Sequence, residues 1–408
     1  MEYHKLDNIG TFYASTSSKP NPDIFRFTAI MSDSVDKTSL NKALRDTIKQ
    51  YPSFNSSLKM GFFWYYLAEQ EDIPEAEEER LPVCNRLDLY ADDVLYRLNY
   101  YRNRINLEVS HILSDGRGTL EFFTCLIENY CSIKYKIKNL KTGPVASLLE
   151  REEDSFDKYY EKTSKVAKPK QKIYNFTGKK LKRNKTRFVY MHTSTEGVLK
   201  FSKENNTTLT VALAALYIKS IIKTMKYKNK GEVIRIAVPV DLRGYYYSKT
   251  TKNFFGMVHV DYVYKDENVS VEGIIKCIDE QLKDSLKKEN INKRSNQMFG
   301  LVKNVVVRSI PLIIKNVGLR VIANFTEKMT TSNISNLGKF KFKKEVEDYI
   351  EGIELSTNTS GLQLVVCSYK DDLCISASSR FAKSNVLNYF VQELKTLGLE
   401  VSIVTNGV

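Results

Sequence analysis

Hydrophobic and polar positions along the chain switch repeatedly between a two-residue and a 3.6-residue rhythm. The run IFRFTAIM, beginning at Ile24, reads as a strand. Leu40, Ala43, Leu44 and Ile48 then recur at helical spacing until Pro52 stops the helix. GFFWYYLA reads as an aromatic strand and PEAEEER as an exposed acidic loop. RINLEVS, from Arg104, is a further strand, followed by a helix expected to start near Gly118 with Leu120, Phe123, Ile127 and Tyr130 on one stripe.

The rhythm fades between Leu149 and Arg187, where charged residues dominate, and resumes as the strand FVYMHTS, the helix TLTVALAALYIKSIIKTM and the strand VIRIAVPVDLR. A strand MVHVDYVY precedes a helix with Ile274, Ile275, Ile278 and Leu282 on one side. A hairpin turns at Lys370-Asp371-Asp372, and a last helix bears Val386, Phe390, Leu394 and Leu397, with Gly398 as its C-cap. No internal repeat is visible. The pattern predicts an α/β (α+β) protein of two similar lobes, each a mixed sheet covered by helices. They occupy residues 1–148 and 188–408, with 149–187 as a charged linker that serves either as a solvated crossover or as a basic rim for an anionic ligand.

Composition narrows this picture only in part. The 408 residues are 42% hydrophobic and 27% charged, which suits a folded protein of two or three domains rather than a disordered one. The net charge of +14 suits an anionic partner, but the lysines are scattered and no nucleic-acid module or basic stripe is present. The six cysteines show no metal-type spacing, so no metal site is expected. The opening MEYHKLDNIG has no apolar signal region, and a cytoplasmic protein with reduced thiols is the expectation. The apolar stretch from Met298 to Phe325 is interrupted by Lys303, Arg308, Lys315 and Arg320 and kinked by Pro311. It reads as amphipathic helix, either packed in the interdomain core or touching a membrane surface peripherally.

Candidate chemistry lies in RINLEVSHILSDGRGTLEFF. Ile105, Leu107, Val109 and His111 share one side of the strand, so His111 continues an inward apolar row. Asp115-Gly116 forms a turn before the helix, and the Asp115 carboxylate is placed to fold back and either hold a buried cation or fix the backbone. Taken alone, these residues are equally those of a core histidine beside a turn. His4 and His192 have no companion motif and His259 alternates against Val258, Val260 and Tyr262, so all three read as structural or exposed.

His111, Asp115 and Gly116 resemble the His-x-x-x-Asp-Gly motif of the acyltransferase superfamily that includes chloramphenicol acetyltransferase, plant-type acyltransferases, wax ester synthases and peptide-synthetase condensation domains. KLDNIGTFYASTSS, FRFTAIM and FFWYYL are similar to the N-terminal region of bacterial alcohol acetyltransferase-like proteins, VPVDLRGYYYSKTTKNFFG to their second-half signature, and SNISNLG to a late segment of the superfamily. The resemblance implies two chloramphenicol-acetyltransferase-like lobes around a tunnel, with acyl-CoA, acetyl or longer, entering from one face and a small-molecule alcohol from the other. His111 would be the general base, since an imidazole takes a hydroxyl proton near neutral pH. Asp115 would be structural, paired with Arg243 of VPVDLR, unless Arg243 merely caps a strand end at the surface. Asn253, Ser332, Ser335 and Asn336, in segments resembling tunnel-lining ones, are candidate oxyanion donors, and Gly116 belongs to the same candidate set. Condensation domains carry a second histidine where this chain has Ser110, and no plant-type DFGWG motif is present. Those departures favour a free-standing acyltransferase and leave its acceptor undefined. The alternative is a non-catalytic binding or partner module on the same fold.

Overall fold

A computed structural model describes residues 3–407 apart from 19–20, 90–91, 162–170, 183–184, 226–228, 267 and 304–308. Fifteen strands among the described residues form three sheets. In the first half, β1 (Tyr3–Lys5), β4 (Tyr65–Glu69) and β3 (Ser56–Met60) make a small antiparallel sheet. The strand predicted over GFFWYYLA is thus only β4, because Gly61–Trp64 is the turn of the β3–β4 hairpin. The five-stranded sheet of this half runs β12-β2-β7-β6-β5, with β2 (Ile24–Met31), β5 (Glu77–Glu78), β6 (Tyr96–Tyr101), β7 (Arg104–Ser110) and β12 (Ile350–Thr357). Helices α2 (Lys37–Gln50) and α3 (Gly116–Lys134) bury Leu40, Ala43, Leu44, Phe122, Phe123 and Leu126 with it.

The second half forms a seven-stranded mixed sheet, β10-β9-β11-β13-β14-β8-β15. Its strands are β8 (Arg187–Ser194), β9 (Val233–Asp241), β10 (Phe255–Val263), β11 (Ser332–Lys339), β13 (Leu362–Tyr369), β14 (Asp372–Ser379) and β15 (Ser402–Thr405). The helices Leu209–Thr224, Val271–Ser285 and Val386–Thr396 close its core, where Leu213, Leu216, Ile274, Ile278 and Phe390 are buried with Ile334, Leu364 and Ile375. The chain does not close on its last helix: beyond Gly398, whose φ of +75° ends that helix, β15 adds an edge strand.

Two features depart from the simple division of the chain. β12, inside the segment assigned to the second lobe, pairs antiparallel with β2 and completes the first lobe's sheet. Edge strands need a partner for their open N–H and C=O groups, and here the partner comes from the far end of the chain. Residues 149–187 are anchored to the fold at their start, while 171–182 are exposed or half-buried. Ser147 and Glu150 form a capping box for the turn Leu148–Arg151. Arg151 is buried, donates to Gln50 O at 2.7 Å and lies over Tyr51, while Phe156 packs with Ile9, Leu242 and Phe254. The charged composition hid these anchors; residues 162–170 and 183–184 of the segment lie outside the described residues. Among the described residues no single helix is long and apolar enough to cross a membrane.

Candidate active site

The bend after β7 places a histidine where the two lobes meet. His111 is the first residue beyond the strand, and its N–H donates to Asp23 O at 3.0 Å. Its half-buried ring stacks on Tyr13 of α1 (Asn8–Thr16), centroid to centroid 4.9 Å. Phe25 of β2 lies 4.5 Å away and Phe255, from the second lobe, 6.4 Å. Apolar walls disfavour a charged imidazole. Burial lowers the His111 pKa to about 4, against the opposing pull of Asp115, Ser114 and Asn253, so the ring is neutral at physiological pH. Nδ1 is sealed and has no hydrogen-bond partner among the described residues.

Asp115 is the N-cap of α3, accepting from Gly118 N at 2.8 Å through Oδ1. Arg243 meets it in a bidentate pair: Nη2 donates to Oδ1 and Nη1 to Oδ2, both at 3.0 Å. Phe254 N donates to Oδ2 at 2.7 Å. The remaining Arg243 donors reach Thr250 O, Lys252 O and Asp241, so all five N–H groups are used. Both partners are buried, which sets aside Arg243 as a surface strand-end cap. The pair ties the first turn of α3 to the loop between β9 and β10.

Tight backbone contacts finish the clamp. A Cβ on Gly118 would stand 2.0 Å from Thr251 O, and Ser114 Oγ donates to that same carbonyl at 2.6 Å. A Cβ on Gly116 would meet Leu337 of β11 at 3.0 Å. Thr250 in turn donates to the backbone oxygens of Arg151 and Glu153, so the linker braces the Arg243 loop.

The four candidate oxyanion donors separate by what they already bind. Asn253 donates both amide hydrogens, one to Asp7 Oδ2 at 3.0 Å and one to His111 O at 2.9 Å, and has none left for a ligand. Ser332 is buried on the core side of β11, donating to Leu362 O and sharing a 2.8 Å contact with Tyr217 OH. Asn336, on that same side, donates to Thr210. Strand alternation turns Ser335 the other way, with Leu337, towards α3. No hydrogen bond of the described residues engages its half-buried hydroxyl.

Sequence reading missed the brace supplied by α1. Asp7 caps that helix through Gly10 N at 2.6 Å and holds Asn253 through its other oxygen. Burial raises the Asp7 pKa to about 7. Gly10 lies so near the His111 loop that a Cβ there would meet Ile112 O at 2.6 Å. The only local signal was Asp7 before an apolar run, an N-cap pattern. The other histidines are engaged elsewhere: His4 binds Glu69, His192 binds Asp372, and His259 sits on β10 opposite to the buried Val258 and Val260. The six cysteines are free, and no described cluster of three or more His, Cys, Asp or Glu side chains is arranged to hold a metal.

No protein-family model and no curated protein matches the chain. Solved structures do. Polyketide synthase associated protein 5 from Mycobacterium tuberculosis superposes with a TM-score of 0.66 at 14% identity, covering 97% of this chain and 98% of that one. TRI3 trichothecene 15-O-acetyltransferase from Fusarium sporotrichioides gives 0.63 at 12%, over 97% and 94% of the two chains. TRI101 from F. graminearum, solved with coenzyme A and T-2 mycotoxin, gives 0.65 at 11%, over 97% of both. The starter condensation domain of rhizomide synthetase RzmA is also similar. The chain has the two-lobed, chloramphenicol-acetyltransferase-like fold of acyltransferases and condensation domains.

Proposed function

We propose that this protein is a CoA-dependent O-acyltransferase of the cytoplasm that moves an acyl group from acyl-CoA to a small-molecule alcohol, with His111 as general base. The observation that carries the reading is a neutral imidazole between the lobes, on a loop clamped by the Asp115–Arg243 pair. Nε2 takes the hydroxyl proton as the alcohol oxygen attacks the thioester carbonyl. The tetrahedral oxyanion collapses, the C–S bond breaks, and the thiolate leaves with the proton held by His111, giving ester and free CoA. Ser335 is the oxyanion donor favoured by its free hydroxyl. Fold similarity to a 15-O-acetyltransferase and to a protein solved with coenzyme A supports acyl transfer and leaves acceptor and acyl length open.

The test is thiol release from acetyl-CoA and longer acyl-CoAs across an alcohol panel, comparing the native chain with a folded His111→Ala variant. Acceptor-dependent release is expected to fall by about 10²-fold or more in the variant. Because the ring stays neutral down to a pKa of about 4, kcat/KM is expected to hold level between about pH 8 and pH 6 instead of halving near 6.5. Equal background release from both proteins, with CoA still bound, would replace this reading with the non-catalytic binding module.

A further inference from the structure

The helix Leu312–Lys328 packs against α1 on one side and carries an apolar row on the other. Its inner side is fully occupied. Leu312 is buried, Lys315 stands over the Trp64 ring, Asn316 donates to Tyr65 OH, and Arg320 Nε reaches Ser15 O at 3.0 Å. The outer side carries Ile313, Ile314, Val317, Val321 and Phe325, each between 59% and 73% exposed. At 3.6 residues per turn these five fall on one face, pointing away from the protein. The β3–β4 turn extends the patch: Phe62 is 72% exposed, and its carbonyl accepts from Leu312 N at 3.0 Å. The helix therefore does not hide its apolar residues in an interdomain core, the simpler expectation from sequence.

An exposed apolar face of this size marks a contact surface. Charge identifies the contact. The helix carries Lys315, Arg320 and Lys328 against one acid, Glu327, and Lys293, Arg294, Lys303 and Arg308 precede it in the sequence. Aliphatic and aromatic side chains set in a predominantly cationic stretch complement a surface that is apolar below an anionic layer. The exposed side chains named above offer no hydrogen-bonding group to specify a protein partner.

We propose that this face docks the protein onto an anionic phospholipid bilayer, lying in the interface without crossing it. The helix would insert its outer row beneath the headgroups while Lys328, exposed on the same side, meets lipid phosphates. Beneath it, α1 carries Tyr13, the residue stacked on His111, so docking would set the candidate active site one helix away from the lipid. Docking itself does not depend on the acyl-transfer reading.

Vesicle co-sedimentation of the full chain tests it, using vesicles of phosphatidylcholine alone and of phosphatidylcholine with phosphatidylglycerol. The native protein is expected to bind the anionic vesicles, to release them in high salt, and to bind the zwitterionic ones on the order of ten-fold more weakly. The variant Val317→Asp/Val321→Asp/Phe325→Asp changes only outward residues and is expected to keep native circular dichroism while losing binding by roughly ten-fold or more. Unchanged binding by the folded variant, or none by the native chain, would overturn the proposal. So would a native dimer that the triple substitution makes monomeric without any vesicle binding, since that face would then join two copies of the chain. Thiol release measured without lipid separates this result from a failure of the proposed chemistry.

Discussion

Replacing Asp115 by Asn probes the clamp most directly, because it removes a charge without changing side-chain shape. Each carboxylate oxygen accepts two donors: Oδ1 from Gly118 N and Arg243 Nη2, Oδ2 from Phe254 N and Arg243 Nη1. Whichever way the amide is turned, its NH₂ faces two N–H groups, so two hydrogen bonds are lost and donors oppose donors. Arg243 stays buried with only Asp241 to neutralise it, and the Asp241 side chain is 42% exposed. Breaking a buried pair from one side destabilises by about 3–5 kcal/mol. Urea unfolding followed by far-UV circular dichroism is expected to show that loss for Asp115→Asn. Asp241→Asn, whose partner keeps the Asp115 pair, is expected to cost about 1 kcal/mol or less. A loss below about 1 kcal/mol for Asp115→Asn, level with Asp241→Asn, would refute the reasoning and mean that the pair is solvated.

Two further outcomes follow from the same contacts. Burial opposes a charge on His192, but its bonds to Asp372 and Glu354 outweigh that and raise its pKa to about 10. An unfolded histidine titrates near 6.5, so the folded chain holds the extra proton between those values. The resulting stability is complete below about pH 6.5 and disappears as pH rises through about 10; urea midpoints in His192→Gln should lose this alkaline decline, and an unaltered pH slope would rule it out. At Gly118 the obstructing atom is the Thr251 carbonyl oxygen, 2.0 Å from a Cβ. Gly118→Ala should therefore lower stability by about 3 kcal/mol or more, while Gly244→Ala, with nothing within 4 Å of its Cβ, should change it by less than about 0.5 kcal/mol; similar midpoints for the two would contradict the close packing.

Sequence by itself determined what neighbouring residues dictate: the strands β2, β7, β8 and β9, the helices that cover them, the turn at Lys370-Asp371, and the bend placing His111 before Asp115-Gly116. Alternation and helical spacing are properties of adjacent side chains, so they survive without knowledge of the partner. The resemblance also named Asp115 and Arg243 together, although 128 residues separate them. Only the tertiary structure decided the rest. β12 found its partner in β2, and the charged linker became a brace because Arg151 and Phe156 fit sites made by distant segments. Asn253 and Ser332 spent their donors on Asp7, His111 and Leu362, while Ser335 kept its own. The outer face of Leu312–Lys328 stayed uncovered. Hydrogen-bond saturation and burial depend on which groups meet across the fold, and the order of residues along one chain specifies those meetings only through the complete folded arrangement.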